Sequence, residues 1–182
     1  SDTETVLAAY IKLGKDVFSI LDGMFAIVIY DTFTSRWVAA RDAFGIKPLY
    51  THKSADSLIL ASEASTISKM INAKPSLTSL AEWEIIRRPI PGYSFFEDIY
   101  EVLPGSIIDS DGYIYTHWSW ERKQEDFKQE AFEQLLIQSI SDHELSDVQN
   151  VSLLSGGLDS ALILACSNIQ KCYTVGLVDN NE

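Results

Sequence analysis

Six consecutive residues, Ser155-Gly156-Gly157-Leu158-Asp159-Ser160, concentrate hydroxyls, free amides and a carboxylate between two apolar runs. Upstream, Asn150-Val151-Ser152-Leu153-Leu154 predicts a buried β-strand; downstream, Ala161-Leu162-Ile163-Leu164-Ala165-Cys166 predicts a helix packed against a sheet. A glycine pair at such a junction lets the backbone approach a ligand closely and turns amide N–H groups outward. The positive end of the following helix dipole adds to them, so the loop is built to hold phosphate. Its spacing is not that of a Walker A loop, which needs four residues between glycines and then Lys and Ser or Thr. It does not match the dinucleotide fingerprint either. The plainer alternative is a strand-to-helix loop with a capping residue.

The other residue types capable of chemistry are scattered. Cys166 and Cys172 both fall in apolar surroundings, which predicts buried, reduced thiols rather than a disulfide or a metal pair. His52, His117 and His143 lack metal-ligand spacing and read as surface or structural residues. Arg41-Asp42 reads as an internal ion pair with no chemistry of its own.

The elements that must position these groups change character along the chain. Ser1 or Asp2 can cap a helix through Val6, Leu7, Tyr10 and Leu13, ended by Gly14. The period then turns to alternation: Met24–Tyr30 and Arg36–Ala40 predict strands joined by the polar turn Asp31–Ser35. A second pair, Pro48–Thr51 and Ser57–Ala61, follows a loop containing Gly45. Ser65–Ile71 predicts a short helix, and the capping-box spacing of Ser79 and Glu82 predicts another that ends near Arg87-Arg88. Two further strands flank Leu103-Pro104-Gly105 and Ser110-Asp111-Gly112, completing an antiparallel α+β arrangement. Past the charged stretch Glu121–Glu125, Phe127, Ala131, Phe132, Leu135, Leu136 and Ile140 share one helical face. The strand, phosphate loop, helix and second strand Cys172–Val178 then form a parallel βαβ unit, an α/β signature. Two domains are expected, residues 1–122 and 123–182.

Across 182 residues, 46% hydrophobic and 11% aromatic content is ample for packed cores and argues against disorder. A net charge of −12 argues against a nucleic-acid-binding face, which requires clustered basic groups. No apolar run approaches the roughly 18 residues of a membrane span, and the acidic first residues carry no apolar signal segment. A soluble, cytoplasmic protein handling small molecules is the expectation.

With these segments in place, the chain resembles the glutamine-dependent asparagine synthetase family along its whole length. The match rests on Gly23-Met24-Phe25-Ala26 with Tyr30-Asp31, on Ala40-Arg41-Asp42-Ala43-Phe44-Gly45-Ile46-Lys47-Pro48-Leu49-Tyr50, on Ala61-Ser62-Glu63 and Leu103-Pro104-Gly105, and on Leu154–Ser160 followed by Thr174-Val175-Gly176-Leu177. The phosphate loop is similar to the S-G-G-x-D-S pyrophosphate loop of enzymes that cleave ATP to AMP and pyrophosphate. The resemblance implies a glutaminase domain of the amino-terminal-nucleophile hydrolase type, an αββα sandwich. It implies that this is followed by the start of an adenine-nucleotide α-hydrolase-like synthetase domain. The implied reaction hydrolyses glutamine at the first domain and sends the ammonia to an ATP-adenylated aspartate side chain. Its products are asparagine, glutamate, AMP and pyrophosphate.

The resemblance also implies roles for residues. Asp2 matches the aspartate that receives the α-ammonium of glutamine. Ser155, Gly156, Gly157 and Ser160 match donors to the pyrophosphate portion of ATP. Leu154 and Val175 match strand-end positions against the adenosine, and Asp159 reads as a carboxylate for Mg²⁺. A capping role at a helix start is the alternative for both Asp2 and Asp159. The family nucleophile, an amino-terminal cysteine followed by Gly-Ile, has no counterpart here. Ser1 belongs to a segment matching an internal part of the family, so no catalytic residue is assigned. An interior piece of a longer protein, inactive by itself, is the expectation, and a homodimer is compatible with it. Amidotransferases or ligases acting on another carboxylic acid (a sugar uronic acid, a peptide, or a β-lactam precursor whose own amine attacks the adenylate) are the alternative activities, and a non-catalytic remnant is the alternative to activity.

Overall fold

Alternation with period two buries one face of most strands, but a strand sandwiched between two layers must be apolar on both. Arg36-Trp37-Val38-Ala39-Ala40-Arg41 meets that condition, and it forms the centre of the amino-terminal part. The computed structural model describes residues 1–55, 57–122 and 126–176, and the chain divides into two compact units, Ser1–Glu121 and Arg122–Glu182.

In the first unit, α1 (Asp2–Leu13) follows Ser1 at its N-cap and carries Asp2 and Glu4 in its first turn, where the helix dipole favours acids. A 3-10 turn (Gly14–Asp16) leads into the single-turn α2 (Val17–Ile20). Strands β1 (Ala26–Asp31), β2 (Arg36–Arg41), β6 (Ser106–Asp109) and β7 (Ile114–Thr116) form an antiparallel sheet in the order β1-β2-β6-β7. Strands β3 (Tyr50–Lys53), β4 (Leu58–Ala61) and β5 (Tyr100–Glu101) form a second, ordered β4-β3-β5. Val38 and Ala40 of β2 pack with Val17, Phe18 and Ile107 beneath α1 and α2, while Ala39 packs with Leu49 and Val102 toward the second sheet. The successive residues of β2 thus serve two cores, as strand geometry requires. Two helices, α3 (Ala64–Ile71) and α4 (Leu77–Ile86), follow, with Ile67 of α3 fully buried. The antiparallel α+β arrangement expected from the sequence is present. Near its end, Trp118, Trp120 and Phe44 form an aromatic cluster with centroids 4.9–5.6 Å apart, and Phe44 and Trp120 are exposed.

Three element boundaries differ from expectation. The first strand starts at Ala26 rather than Met24, because the N–H of Phe25 is taken by the Asp42 side chain. The second strand pair begins at Tyr50, past Pro48, which lacks an N–H to donate. Helix α4 is capped by Ser76, not Ser79: the Ser76 Oγ accepts the Ser79 N–H at 3.2 Å, so Ser79 lies buried inside the first turn. Glu82, the other half of the expected box, accepts the Ile90 N–H at 2.9 Å instead.

The second unit contains α5 (Gln129–His143), β8 (Ser152–Leu153), α6 (Leu158–Cys166) and β9 (Cys172–Tyr173). Strands β8 and β9 run parallel, with Ser152 opposite Cys172 and Leu153 opposite Tyr173. Phe127 precedes α5 rather than joining its face, its ring tilted against Phe132 with centroids 5.9 Å apart, and of the expected stripe only Ile140 is buried. α6 has no fully buried residue, and both strands are shorter than the apolar runs suggest. Leu177 and Val178, expected to continue the last strand, lie outside the described residues, as do Lys123–Glu125 of the charged stretch. The cysteines also depart from expectation: both are free, but Cys166 is half-buried and Cys172 exposed, since β9 has no covering layer among the described residues.

Candidate functional site

The phosphate-loop candidate begins where β8 ends. The Leu154 N–H donates to the Tyr173 carbonyl at 2.8 Å, extending the parallel pairing one step, and the chain then turns out of the sheet. Gly156 sits at φ 82°, left-handed backbone that a residue with a Cβ adopts only under strain. Gly157 is the N-cap of α6, its carbonyl accepting the Ala161 N–H at 3.2 Å.

Two hydroxyls shape the loop. Ser155 Oγ and Ser160 Oγ are 3.0 Å apart; Ser160 Oγ donates to the Gly157 carbonyl at 3.0 Å, and Ser155 Oγ accepts the Gly157 N–H at 3.3 Å. Helix geometry leaves the N–H groups of the first α6 turn without intrahelical acceptors, and they open beside these hydroxyls. Asp159 is exposed in that first turn. Ser155, Gly156, Gly157, Asp159 and Ser160 are therefore gathered at one helix start, with Leu154 half-buried just behind. Val175, 96% exposed, lies two residues past β9. Parallel strands feeding a glycine loop and a helix N-terminus can hold an anion beyond their carboxyl ends.

Asp2 belongs to the first unit. It lies exposed in the first turn of α1 and lines a groove of about 520 Å³ between that helix and β1, together with Val6, Phe25, Ala26, Val28 and Tyr30. An acid at one point of a largely apolar groove can orient an amphipathic cation such as an α-ammonium group.

Sequence reasoning missed the most heavily bonded polar group in this unit. Arg41 and Asp42 form no ion pair with each other, which corrects the expectation. Neighbouring residues of extended chain point to opposite sides, so adjacent opposite charges at a strand end do not face. The Arg41 guanidinium, nearly buried, pairs with Glu101 at 2.8 Å and donates to the carbonyls of Gly45, Lys47 and Val102. The Asp42 carboxylate, 1% exposed, accepts four backbone N–H groups, from Phe25, Phe44, Ile46 and Lys47. Burial alone would raise its pKa, but the four donors outweigh burial and hold it below the ordinary carboxylate range. Gly45, at φ 65°, admits this close packing: a Cβ there would stand 2.8 Å from Pro104 and 3.0 Å from the Arg41 guanidinium carbon. An Arg-Asp pair followed by Gly and Pro in the loop between two strands was the available signal. The expectation of structural histidines fits His117, whose Nε2 donates to the Arg41 carbonyl at 2.8 Å while its ring stacks on Phe25.

Among the described residues no group of three His, Cys, Asp or Glu side chains could enclose a metal ion, and no helix is long and apolar enough to cross a membrane. Residues 1–121 match the glutamine amidotransferase domain family, and residues 131–182 match the asparagine synthase family. A glutamine-hydrolysing asparagine synthetase of Bacillus subtilis is 31% identical over 91% of the chain and 28% of that protein. The chain belongs to the asparagine synthetase family of glutamine amidotransferases. Within that family, asparagine synthetase B of Escherichia coli is 31% identical over the whole chain and 29% of its own length. A Gibberella zeae protein named amidase chry2 is 29% identical over 90% of the chain and 26% of that protein. The chain thus spans under a third of the length of these relatives.

Proposed function

We propose that this chain is part of a glutamine-hydrolysing asparagine synthetase. Residues 1–122 are assigned to the glutaminase domain, of amino-terminal-nucleophile hydrolase type, and residues 123–182 to the start of the ATP-binding synthetase domain. The observation that carries the reading is the order of two family matches, glutamine amidotransferase then asparagine synthase, with the Ser155–Ser160 loop opening α6 inside the second.

In this reading Asp2 receives the α-ammonium of glutamine, and hydrolysis of the side-chain amide releases glutamate and ammonia. In the second domain a carboxylate oxygen of aspartate attacks the α-phosphorus of ATP and pyrophosphate leaves. Ammonia then attacks the acyl carbon, AMP departs, and a proton is lost as the amide forms. Adenylation is needed because a free carboxylate has no good leaving group. Gly156 and Gly157 offer N–H groups to the pyrophosphate portion, Ser155 and Ser160 offer hydroxyls, and Leu154 and Val175 flank the adenosine.

Mg²⁺ suits the donor set as a nucleotide-borne ion. Asp159 is exposed and in no ion pair among the described residues, so one carboxylate is free beside the phosphate loop. Mg²⁺ is commonly held by one or two carboxylates plus substrate phosphates, with waters completing the shell. When bound it would neutralise phosphate charge, which Asp159 alone would repel.

The test is ATP–pyrophosphate exchange by the full-length protein across a panel of carboxylic acids. Aspartate is expected to support exchange, and Asp159→Ala is expected to abolish it while leaving glutamine hydrolysis largely intact. Exchange supported only by another acid would overturn the asparagine assignment, and exchange retained by Asp159→Ala would overturn the role of that carboxylate.

A further inference from the structure

We propose that Asp42 is a positioning residue for the glutamine groove, acting through Phe25; the inference rests on the assignment of Asp2 to glutamine made above. Phe25 lines the groove with Asp2, and both of its backbone polar groups are fastened to Asp42. Its N–H donates to Asp42 Oδ2 at 3.3 Å, and its carbonyl accepts the Asp42 N–H at 2.9 Å. The same Oδ2 accepts the Lys47 N–H at 3.0 Å, while Oδ1 accepts from Phe44 and Ile46, each at 3.0 Å. One carboxylate therefore ties the residue before β1 to the Phe44–Lys47 loop.

Arg41 holds that loop from the other side, through the Gly45 and Lys47 carbonyls at 2.8 Å each. The anchor is rigid in turn, because the Asp42 carbonyl accepts N–H groups from Gly45 and Gly105, at 3.1 and 2.9 Å. A two-sided clamp of this kind is more than a turn between strands requires. What it adds is a fixed backbone for Phe25, whose ring rests against Phe18 and His117 at 6.5 and 6.0 Å, on the wall of the groove. A shift of that wall changes the space offered to a ligand held at Asp2, although Asp42 itself, 1% exposed and buried behind the loop, touches no ligand.

Asp42→Asn keeps the volume but exchanges one acceptor oxygen for a donor group, so the four N–H groups cannot all be satisfied. In the full-length protein, glutamine-dependent activity is expected to show a KM for glutamine raised about tenfold with kcat reduced less than about threefold. Activity with ammonia supplied directly is expected to be unchanged. Asp2→Asn serves as the control for the underlying reading. If it raises the glutamine KM and a folded Asp42→Asn protein does not, the positioning role is overturned and the glutamine groove stands. If Asp2→Asn leaves KM unchanged, the groove assignment falls and the positioning role with it. Should Asp42→Asn fail to fold, Phe25→Leu carries the same test, since it alters the wall while leaving the four-donor cradle in place. A raised glutamine KM is expected there, and an unchanged one overturns the proposal.

Discussion

A buried carboxylate is tolerated only where enough donors replace the water it has lost. Asp42 meets that condition with backbone alone, and Asp109 meets it with a mixture. Asp109, buried in the first sheet, accepts the ammonium of Lys15 and the N–H groups of Asp111 and Tyr113. Burial would raise the Asp109 pKa, yet the hydrogen bond from Lys15 and the backbone donors bring it below its ordinary value. The same contact raises the pKa of Lys15, whose ammonium also lies 4.3 Å from the Tyr115 ring centroid. Lys15→Met is therefore expected to cost about 1 kcal/mol, modest because Lys15 is partly solvated. Since the folded pKa of Lys15 is raised, its contribution is complete below the ordinary lysine value of about 10.4 and fades as pH rises through the higher folded one. Urea midpoints of the two proteins, compared from neutral to strongly alkaline pH, are expected to converge. A constant gap would mean that Lys15 acts by packing alone. None of this pairing was legible in the sequence: Lys15 and Asp109 are far apart along the chain, and only the fold of β6 beneath the 3-10 turn joins them.

At the scale of elements, the sequence located the strands well, because burial on one face leaves a period-two imprint and burial on both leaves a short apolar run, and each survives without neighbours. Ends were less legible, since several residues can compete to satisfy the same backbone groups. Ser79 had the capping-box spacing, yet the cap is Ser76, whose extended backbone aims its Oγ at the Ser79 N–H. Ser76→Ala is accordingly expected to destabilise the first unit by about 1 kcal/mol, read from its thermal midpoint. Ser79→Ala should leave that cap intact, and a larger loss from Ser79→Ala would reverse the assignment. The phosphate loop was the most legible element of the candidate site, because six contiguous residues carry its shape. Asp42 was the least, because its partners are backbone amides, and nothing in the sequence distinguishes an amide that needs an acceptor from one that has a strand.

Across the whole chain, the sequence's change of period from antiparallel meander to βαβ unit accompanies a division into two compact units. The carboxylates with depressed pKa and buried side chains, Asp42 and Asp109, both lie in the first. A depressed folded pKa contributes stability above the ordinary aspartate value of about 3.9 and loses it as pH falls through the folded value. The first unit is thus expected to lose stability steeply below about pH 4, and Asp109→Asn to flatten that slope. Chemical denaturation at a series of acidic pH values measures it, and parallel curves for wild type and variant would contradict that sign.

The division has an optical consequence. All four tryptophans, Trp37, Trp83, Trp118 and Trp120, belong to the first unit, while the second contains a single tyrosine, Tyr173, and no tryptophan. Intrinsic fluorescence excited at the red edge therefore watches only the half that carries Asp2, with the partly exposed Trp118–Trp120–Phe44 cluster as its most solvent-sensitive part. The half with the phosphate loop has Tyr173 as its one native emitter, and its carbonyl is bonded to Leu154 at the mouth of that loop. Red-edge excitation thus follows the first half alone, without a label, whereas shorter wavelengths also excite the seven tyrosines of that half.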